Sequence, residues 1–138
     1  MSDANDWNTK IIEEFRANGG HVGGPFEAMP LLLLHTKGAR SGTQRVTPVA
    51  YQRLGPTSVA IFASKAGAPH NPDWYHNIVA NPDTTVEIGD RSLAVRARVA
   101  GTEERQQIWE KQKTDYPGFA EYERKTTRTI PVVVLDEA

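Results

Sequence analysis

Residues 31–50 read LLLLHTKGARSGTQRVTPVA and join two apolar segments through a basic loop that contains two glycines. The leucine run lacks polar alternation and is too short for a free-standing helix, so it predicts a strand that is buried on both faces. Residues 46–53 predict a second strand, in which Pro48 indicates an edge or a bulge. A short turn and a third strand at residues 58–63 complete a meander.

The segments on either side of this meander predict helices and three further strands. Trp7, Ile11 and Phe15 recur at helical spacing before two glycines, which predicts an amphipathic helix over about residues 6–18. The later elements are predicted, in chain order, as a helix at residues 71–80 capped by Asn71, strands at residues 84–88 and 93–99 around a Gly89-Asp90 turn, a helix from Thr102 to about Thr114 with capping-box character, a helix at residues 119–125 and a strand at residues 130–135. No alternating βα rhythm is visible. The sequence therefore predicts an α+β fold, a split β-barrel of about six mostly antiparallel strands with short covering helices.

Length and composition limit the classes of protein that remain. A chain of 138 residues with 38% hydrophobic content suits one domain, with an N-terminal helix and loop at residues 1–27 and the barrel at residues 28–138. The absence of cysteine excludes disulfides, a thiolate nucleophile and a Cys-ligated metal. A net charge of −1 disfavours general nucleic-acid binding. The apolar runs are too short to span a bilayer, so a cytoplasmic location is the simplest expectation.

Cationic side chains are segregated within the chain. Residues 28–72 contain five cations and no Asp or Glu, whereas the rest of the chain has 11 cations and 17 acids. The five cations are Lys37, Arg40, Arg45, Arg53 and Lys65. Clustered cations without competing acids favour phosphate or carboxylate ligands. The sequence therefore predicts an acidic partner for this segment.

The loop between the first two strands supplies groups that suit an anion. Gly38 and Gly42 permit close approach to the backbone, exposed N–H groups are expected to donate, and Arg40 and Arg45 add forked, permanently charged donors. The alternative is an ordinary solvated turn with surface cations. The glycine spacing is not that of a dinucleotide fingerprint or a P-loop, because no long helix follows.

Other segments carry candidate residues with alternative roles. Ser64 and Lys65 end a buried strand and are expected at the same barrel mouth; a hydrolase dyad would need a neutral Lys65, and the cationic surroundings favour anion binding instead. Trp74 and Tyr75 are compatible either with the wall of a planar ligand site or with plain core.

The C-terminal aromatic residues and the histidines are equally open to a structural role. Tyr116, Phe119 and Tyr122 lie three residues apart and suit either core packing or an apolar lid over a flat substrate. Three histidines lack metal-site spacing and are expected to be ordinary loop or surface residues, namely His35, His70 and His76.

Four motifs occur in order between residues 28 and 135. They are TKGARSG at residues 36–42 with RVTP at 45–48, ASKAGA at 63–68, NPDWYHN at 71–77 with ANP at 80–82, and RTIPVVV at 128–134. Together, the motifs and their spacing resemble the deazaflavin (coenzyme F420)-dependent nitroreductase and quinone reductase family of actinobacteria. The resemblance implies a split β-barrel whose groove holds F420, a deazaflavin with a phosphate and an oligoglutamate tail. Such a tail accounts for the acid-free segment.

The resemblance also implies site residues, position by position. Arg40, Arg45 and Lys65 are expected to pair with the phosphate and the tail carboxylates. Backbone N–H groups are expected to meet the edge of the deazaflavin ring, and Trp74 is expected to wall the site. The implied cofactor contacts are Ala39, Arg40, Ser41, Arg45, Val46, Thr47, Pro48, Val49, Ala50, Phe62, Ala63, Ser64, Lys65, Asp73, Trp74, Tyr75, His76, Asn77 and Phe119.

The implied activity is hydride transfer from reduced F420 to a quinone, a nitro-aromatic compound or an activated alkene. Ser64, Tyr116 and Tyr122 are the implied catalytic residues, because a serine and C-terminal tyrosines line the family's acceptor site. Phe119 replaces one of those tyrosines, which favours simple quinones over bulky nitroimidazoles. The alternative functions are an FMN-binding split-barrel oxidoreductase and a non-catalytic F420 or lipid carrier. Loose association with the inner membrane face and a monomeric or dimeric state both stay open.

Overall fold

The computed structural model describes residues 3–23, 30–39, 41–64, 67 and 70–138, and the side chains from Thr9 onward. These residues form four helices and six strands. In chain order they are α1 (Asp3–Ala17), β1 (Leu31–Lys37), β2 (Gln44–Gly55), β3 (Ser58–Phe62), α2 (Asp73–Ala80), β4 (Asp83–Ile88), β5 (Arg91–Val99), α3 (Thr102–Asp115), α4 (Gly118–Lys125) and β6 (Val132–Glu137).

The strands form a closed barrel in the order β1-β2-β3-β6-β5-β4, and all neighbouring pairs are antiparallel. The predicted meander is confirmed as β1, β2 and β3. The predicted hairpin is confirmed as β4 and β5, with Gly89 at a φ of 60° in its turn. Strand β6 pairs with both β3 and β5 and completes the barrel. The predicted α+β barrel is therefore confirmed.

Strand β2 changes partner near its middle. Residues 44–50 pair with β1, whereas residues 51–55 pair with β3. The Tyr51 N–H donates to the Pro30 carbonyl at 3.2 Å, which fixes the alternation of the ladder and places Pro48 in a non-hydrogen-bonded pair. The backbone groups of Pro48 therefore point away from β1. Among the described residues, no strand pairs with residues 44–50 of β2 on the side opposite β1. This open side agrees with the edge predicted from Pro48.

The apolar core consists of three clusters. The four leucines of β1 alternate between two of them: the even-numbered leucines face the barrel interior with Trp74 and Ile78 of α2, and the odd-numbered ones pack beneath α1 against Phe15. Helices α3 and α4 cover the outer face of β3 and β6 around Trp109. The prediction of a strand buried on both faces is therefore confirmed for β1.

Two helix caps differ from their predictions. Pro72, not Asn71, occupies the N-cap position of α2, and the side chain of Asn71 instead accepts a hydrogen bond from Arg128. A bond from a charged donor is stronger than a neutral cap, so the guanidinium takes this side chain. Gly101 is the N-cap residue of α3 in an extended conformation, so Thr102 already lies inside the helix and the predicted capping box does not form.

The N-terminal helix is held to the barrel by a close backbone contact and by charge. A Cβ on Gly20 would lie 2.5 Å from the Gly89 Cα, so the two turns touch without side chains. Arg16 donates two hydrogen bonds to Glu87, at 3.1 and 2.7 Å, and His35 Nε2 lies 2.7 Å from the same carboxylate. The hydrogen bond from Arg16 holds the pKa of Glu87 below its ordinary value. None of the helices in the described ranges has the length and apolar character needed to cross a bilayer.

Candidate functional site

A cavity of about 630 Å³ lies between the basic loop and helix α2. Its volume is in the range of small-molecule and cofactor sites. Its lining residues are Gly38, Ala39, Ser41, Arg45, Asp73, His76 and Asn77. All of these except Gly38 are predicted cofactor contacts. The structure therefore brings together two motifs that are far apart in the sequence.

The backbone donors of the loop maintain the shape of the loop. Gly38 N–H donates to the Thr43 carbonyl at 2.8 Å, and Gly42 N–H donates to the Gly38 carbonyl at 2.9 Å. Thr43 N–H donates to Ser41 Oγ at 3.2 Å. The prediction that exposed backbone N–H groups serve an anion is therefore wrong for Gly38, Gly42 and Thr43. These three N–H groups already have partners within the loop.

Asn77 fixes the loop to helix α2. Its Oδ1 accepts the Ala39 N–H at 3.0 Å, and the residue is only 8% exposed. The turn is tight at its start, because a Cβ on Gly38 would lie 2.5 Å from Ser41 Oγ. The geometry of the cavity mouth is thus set by contacts within the protein.

Arg45 is an exposed cation on the cavity wall. It lies opposite Thr36 in the β1–β2 ladder, so the two side chains share one face of the sheet. Thr36 is 3% exposed, and its Oγ1 has no hydrogen-bond partner within the described ranges. Arg45 forms no ion pair with any described residue. An unpaired guanidinium near a buried hydroxyl is a donor set that suits phosphate or carboxylate oxygens.

The other predicted contacts flank the opening between β2 and β3. Residues 46–50 lie in the open half of β2. Val49 faces the barrel interior, and Val46 packs beneath α1. Ala63 and Ser64 follow the end of β3 and are 0% and 8% exposed. The two strands thus present a backbone edge on one side of the opening and the candidate serine on the other.

Four aromatic residues on the predicted contact list lie away from this cavity, namely Phe62, which is 6% exposed, Trp74, Tyr75 and Phe119. Trp74 is 8% exposed and belongs to the barrel core, which supports the core alternative for this residue. Tyr75 lines a different cavity, of about 560 Å³. Phe119 is 5% exposed, with its ring centroid 5.5 Å from that of Phe62 and 5.3 Å from that of Tyr122. The aromatic walls expected from the sequence are therefore parts of packed clusters.

Tyr116 and Tyr122 are partly buried against the cluster that covers β3 and β6. The backbone of Tyr122 approaches Gly67, because a Cβ on Gly67 would lie 2.9 Å from the Tyr122 carbonyl oxygen. Helix α4 is thus a neighbour of Gly67. The described lining of the loop cavity includes neither tyrosine.

Two predicted cation contacts, Arg40 and Lys65, lie outside the described residues. Sequence reasoning missed Thr36, whose buried hydroxyl lies opposite Arg45. Its place at the polar end of a leucine strand is the signal that could have identified it. In the described part of the chain, no three His, Asp or Glu side chains are grouped as metal ligands.

The chain is similar to F420H(2)-dependent reductases in sequence and in structure. A family model described as F420H(2)-dependent quinone reductase matches residues 7–137. An F420H(2)-dependent quinone reductase of Mycobacterium tuberculosis is 36% identical over 125 residues, which are 88% of this chain and 83% of that protein. A solved structure described as an F420-H2 dependent reductase is 40% identical, with a TM-score of 0.69 over 78% of this chain and 94% of that one. Another solved structure, described as a domain-swapped dimer, is 35% identical, with a TM-score of 0.71 over 97% of this chain and 100% of that one.

Proposed function

Because the chain belongs to the F420H(2)-dependent quinone reductase family, we propose that it transfers a hydride from reduced coenzyme F420 to a quinone. Nitro-aromatic compounds and activated alkenes are the further acceptor classes of this proposal. The observation that carries it is the cavity between the basic loop and α2, where Arg45 has no carboxylate partner within the described ranges.

The side chains of the cavity fit the phosphate and the oligoglutamate tail of F420. The guanidinium of Arg45 matches phosphate and carboxylate oxygens with two parallel hydrogen bonds. Ala39 and Ser41 form the adjoining wall, and His76 lies on the α2 side. In this proposal Arg40 and Lys65 add further positive charge around the tail.

The ring system is proposed to lie along the open half of β2. In this segment alternate residues direct their backbone groups away from β1, which leaves the N–H and C=O of Val46 and the C=O of Pro48 on the open side. Polar atoms at the edge of a planar ring can pair with these groups as a neighbouring strand would. Ala63 and Ser64 form the opposite side of the opening.

Bound reduced F420 supplies the hydride, and the protein supplies binding, orientation and electrostatics. The described residues hold the site open, because Asn77 fixes the loop and Arg45 remains available. Ser64, Tyr116 and Tyr122 are the proposed acceptor-side residues. Their hydroxyl groups can donate to the acceptor oxygen on which negative charge develops.

Binding and turnover of the full chain test this proposal. We expect saturable quenching of F420 fluorescence, weaker binding of FMN, and oxidation of reduced F420 by menadione followed by absorbance. Preferential binding of FMN would favour the flavin oxidoreductase alternative. Binding of F420 without hydride transfer to any quinone, nitro compound or enone would favour a carrier.

The proposal includes a cytoplasmic location with loose contact to the inner membrane face. It is compatible with a monomer and with a dimer, and one similar solved structure is described as a domain-swapped dimer. Size-exclusion chromatography with light scattering would distinguish a monomer from a dimer.

A further inference from the structure

Arg128 lies between α4 and β6, and its guanidinium joins three segments of the chain. Nη1 donates to Asn71 Oδ1 at 2.7 Å. Nη2 donates to the carbonyl oxygens of Ala63 at 3.1 Å and Ser64 at 3.0 Å. These bonds connect the end of β3 and the start of α2 to the connection that leads into β6.

The acceptors stand at both ends of one loop. Residues 64–71 connect β3 to α2, with Ser64 at the start of the loop and Asn71 at its end. A guanidinium suits this arrangement because its donors diverge in a fixed plane, whereas a lysine offers a single compact ammonium. Arg128 therefore joins Ser64 and Asn71, the two ends of this connection, whose sequence includes Lys65.

The same bonds fix the peptide that precedes the candidate serine. The peptide bond between Ala63 and Ser64 is trans, and the C=O and N–H of a trans peptide point in opposite directions. Because Arg128 holds the Ala63 carbonyl, the N–H of Ser64 is directed away from the guanidinium. Hydrogen bonds from a charged donor are stronger than neutral ones, so this orientation exists before any ligand binds.

The environment of Arg128 differs from that of an ordinary surface arginine. The side chain is partly buried, and desolvation lowers the pKa of its guanidinium. Removing a cation from water is unfavourable unless hydrogen bonds offset the loss of solvation. Arg124, in the last turn of α4, is exposed and pairs with Glu121 on the same helix.

We infer that Arg128 is a positioning residue for the proposed hydride transfer. By binding both ends of the 64–71 loop, it holds Ser64 and the start of α2 at the separation that the cofactor site requires. The inference rests on the proposed function. Arg128 acts through these segments, since the described lining of the loop cavity does not include it.

Variants of the full chain test this role, with Arg105 as the matched control. Arg105 donates to the Ile130 carbonyl at 2.8 Å in the same connection and lies 5.4 Å from the Trp109 ring, and none of its described bonds reaches the 64–71 loop. We expect Arg128→Ala to lower kcat/KM for reduced F420 by about 10- to 100-fold, because displaced site residues cost rate. Arg128→Lys should recover little of this loss, and Arg105→Ala should stay within about twofold of wild type.

Two further readouts separate positioning from general stability. Added guanidinium at non-denaturing concentrations should restore part of kcat to Arg128→Ala and none to Arg105→Ala. If Arg128→Ala does not fold, Arg128→Lys carries the test, with an expected fall in kcat at a thermal midpoint close to wild type.

Each contrary outcome overturns a defined statement. A folded Arg128→Ala or Arg128→Lys variant with wild-type kcat/KM overturns the inference alone. Equal losses in Arg128→Ala and Arg105→Ala without guanidinium rescue overturn it as well, because reduced stability would then be the cause. Absence of F420 binding by the wild-type chain overturns the proposed function itself.

Discussion

Cations inside and outside the acid-free segment, residues 28–72, differ in their ion pairing. Within the described part of that segment, Lys37, Arg45 and Arg53 form no ion pair, whereas six described cations outside it do. These six are Arg16, Arg96, Arg98, Lys111, Lys113 and Arg124. The difference shows that a lack of local acids leaves the described cations of this segment without ion-pair partners, in a chain whose net charge is only −1.

The pairs outside the segment serve mainly to neutralise charge. Most of them join exposed side chains, such as Arg96 and Asp83 at 3.1 Å. Exposed pairs of this kind contribute about 0–1 kcal/mol to stability. The unpaired cations of the acid-free segment instead remain available to a ligand.

The largest expected effect follows from removing cations of the acid-free segment. In the double variant Arg45→Ala, Lys65→Ala we expect kcat/KM for reduced F420 to fall by about 100-fold or more, because each bond to a charged group is worth about 1.5–3 kcal/mol. Absorbance of reduced F420 during menadione reduction measures it. Arg96→Ala, which removes a paired cation elsewhere, should leave kcat/KM unchanged. Normal turnover in the double variant would refute the assigned anion contacts.

A smaller effect should follow from returning an acid to the segment. Gln44→Glu places a carboxylate opposite Lys37 in the β1–β2 ladder and next to Arg45 in the chain. We expect the Kd for F420 to rise about two- to fivefold, since an exposed pair of charges has this strength. Fluorescence titration measures the Kd, and high salt should remove the difference.

The control for this variant is Gln106→Glu, an exposed substitution of the same kind on α3. Its Kd should equal that of wild type at every salt concentration. An equal rise in Kd for both variants would show that total charge, and not the local absence of acids, governs binding.

Loss of an ion pair outside the acid-free segment should lower the stability of the fold and leave F420 binding unchanged. Arg98 donates to Glu104 at 2.6 and 3.0 Å and to Asp136 at 3.0 Å. We expect Arg98→Met to lower the free energy of unfolding by about 1 kcal/mol or less, because water reaches all three side chains, which are 38% to 49% exposed. Urea unfolding measures this loss. A changed KM for reduced F420 in this variant would contradict the separation of the two regions.

The smallest expected effect is a pH dependence of that same network. The hydrogen bond from Arg98 lowers the pKa of Glu104, and the hydrogen bond from Ser58, then that from Arg98, lowers the pKa of Asp136. A carboxyl group whose pKa is lower in the folded state stabilises the fold above its unfolded pKa of about 4, and this contribution disappears as pH falls through the folded pKa. Urea unfolding of wild type and Arg98→Met should therefore converge as the pH is lowered from 6 to about 3. A constant difference between them would contradict this assignment.

The strands were predictable from the sequence because their signals are local. The leucine run of β1, the turn at Gly89 and the alternating residues around it each lie within a few positions of the element that they define. The caps at Asn71 and Thr102 were mispredicted because competing partners and backbone geometry decided them. Asn71 is bound by Arg128, 57 residues away.

The site was predictable in its composition and less so in its geometry. The cationic segment and the motifs predicted Arg45 and Asn77 as site residues, and the structure places both on the lining of one cavity. Whether Trp74 walls a ligand or fills the core depends on packing against distant strands, because spacing along a helix fits both. The contacts of Arg128 with Ala63 and Ser64 span 65 and 64 residues, so no local pattern could reveal them.

The open half of β2 has a further consequence for the behaviour of the protein in solution. An unpaired strand edge invites a strand from another molecule, which is a common route to aggregation. Pro48 turns its nitrogen toward that open side and has no hydrogen to offer there. A strand from another molecule would thus lack one hydrogen bond at this position. The carbonyl oxygen of Pro48 can still accept one. A single proline in the middle of the edge therefore disfavours strand pairing between two molecules of this protein.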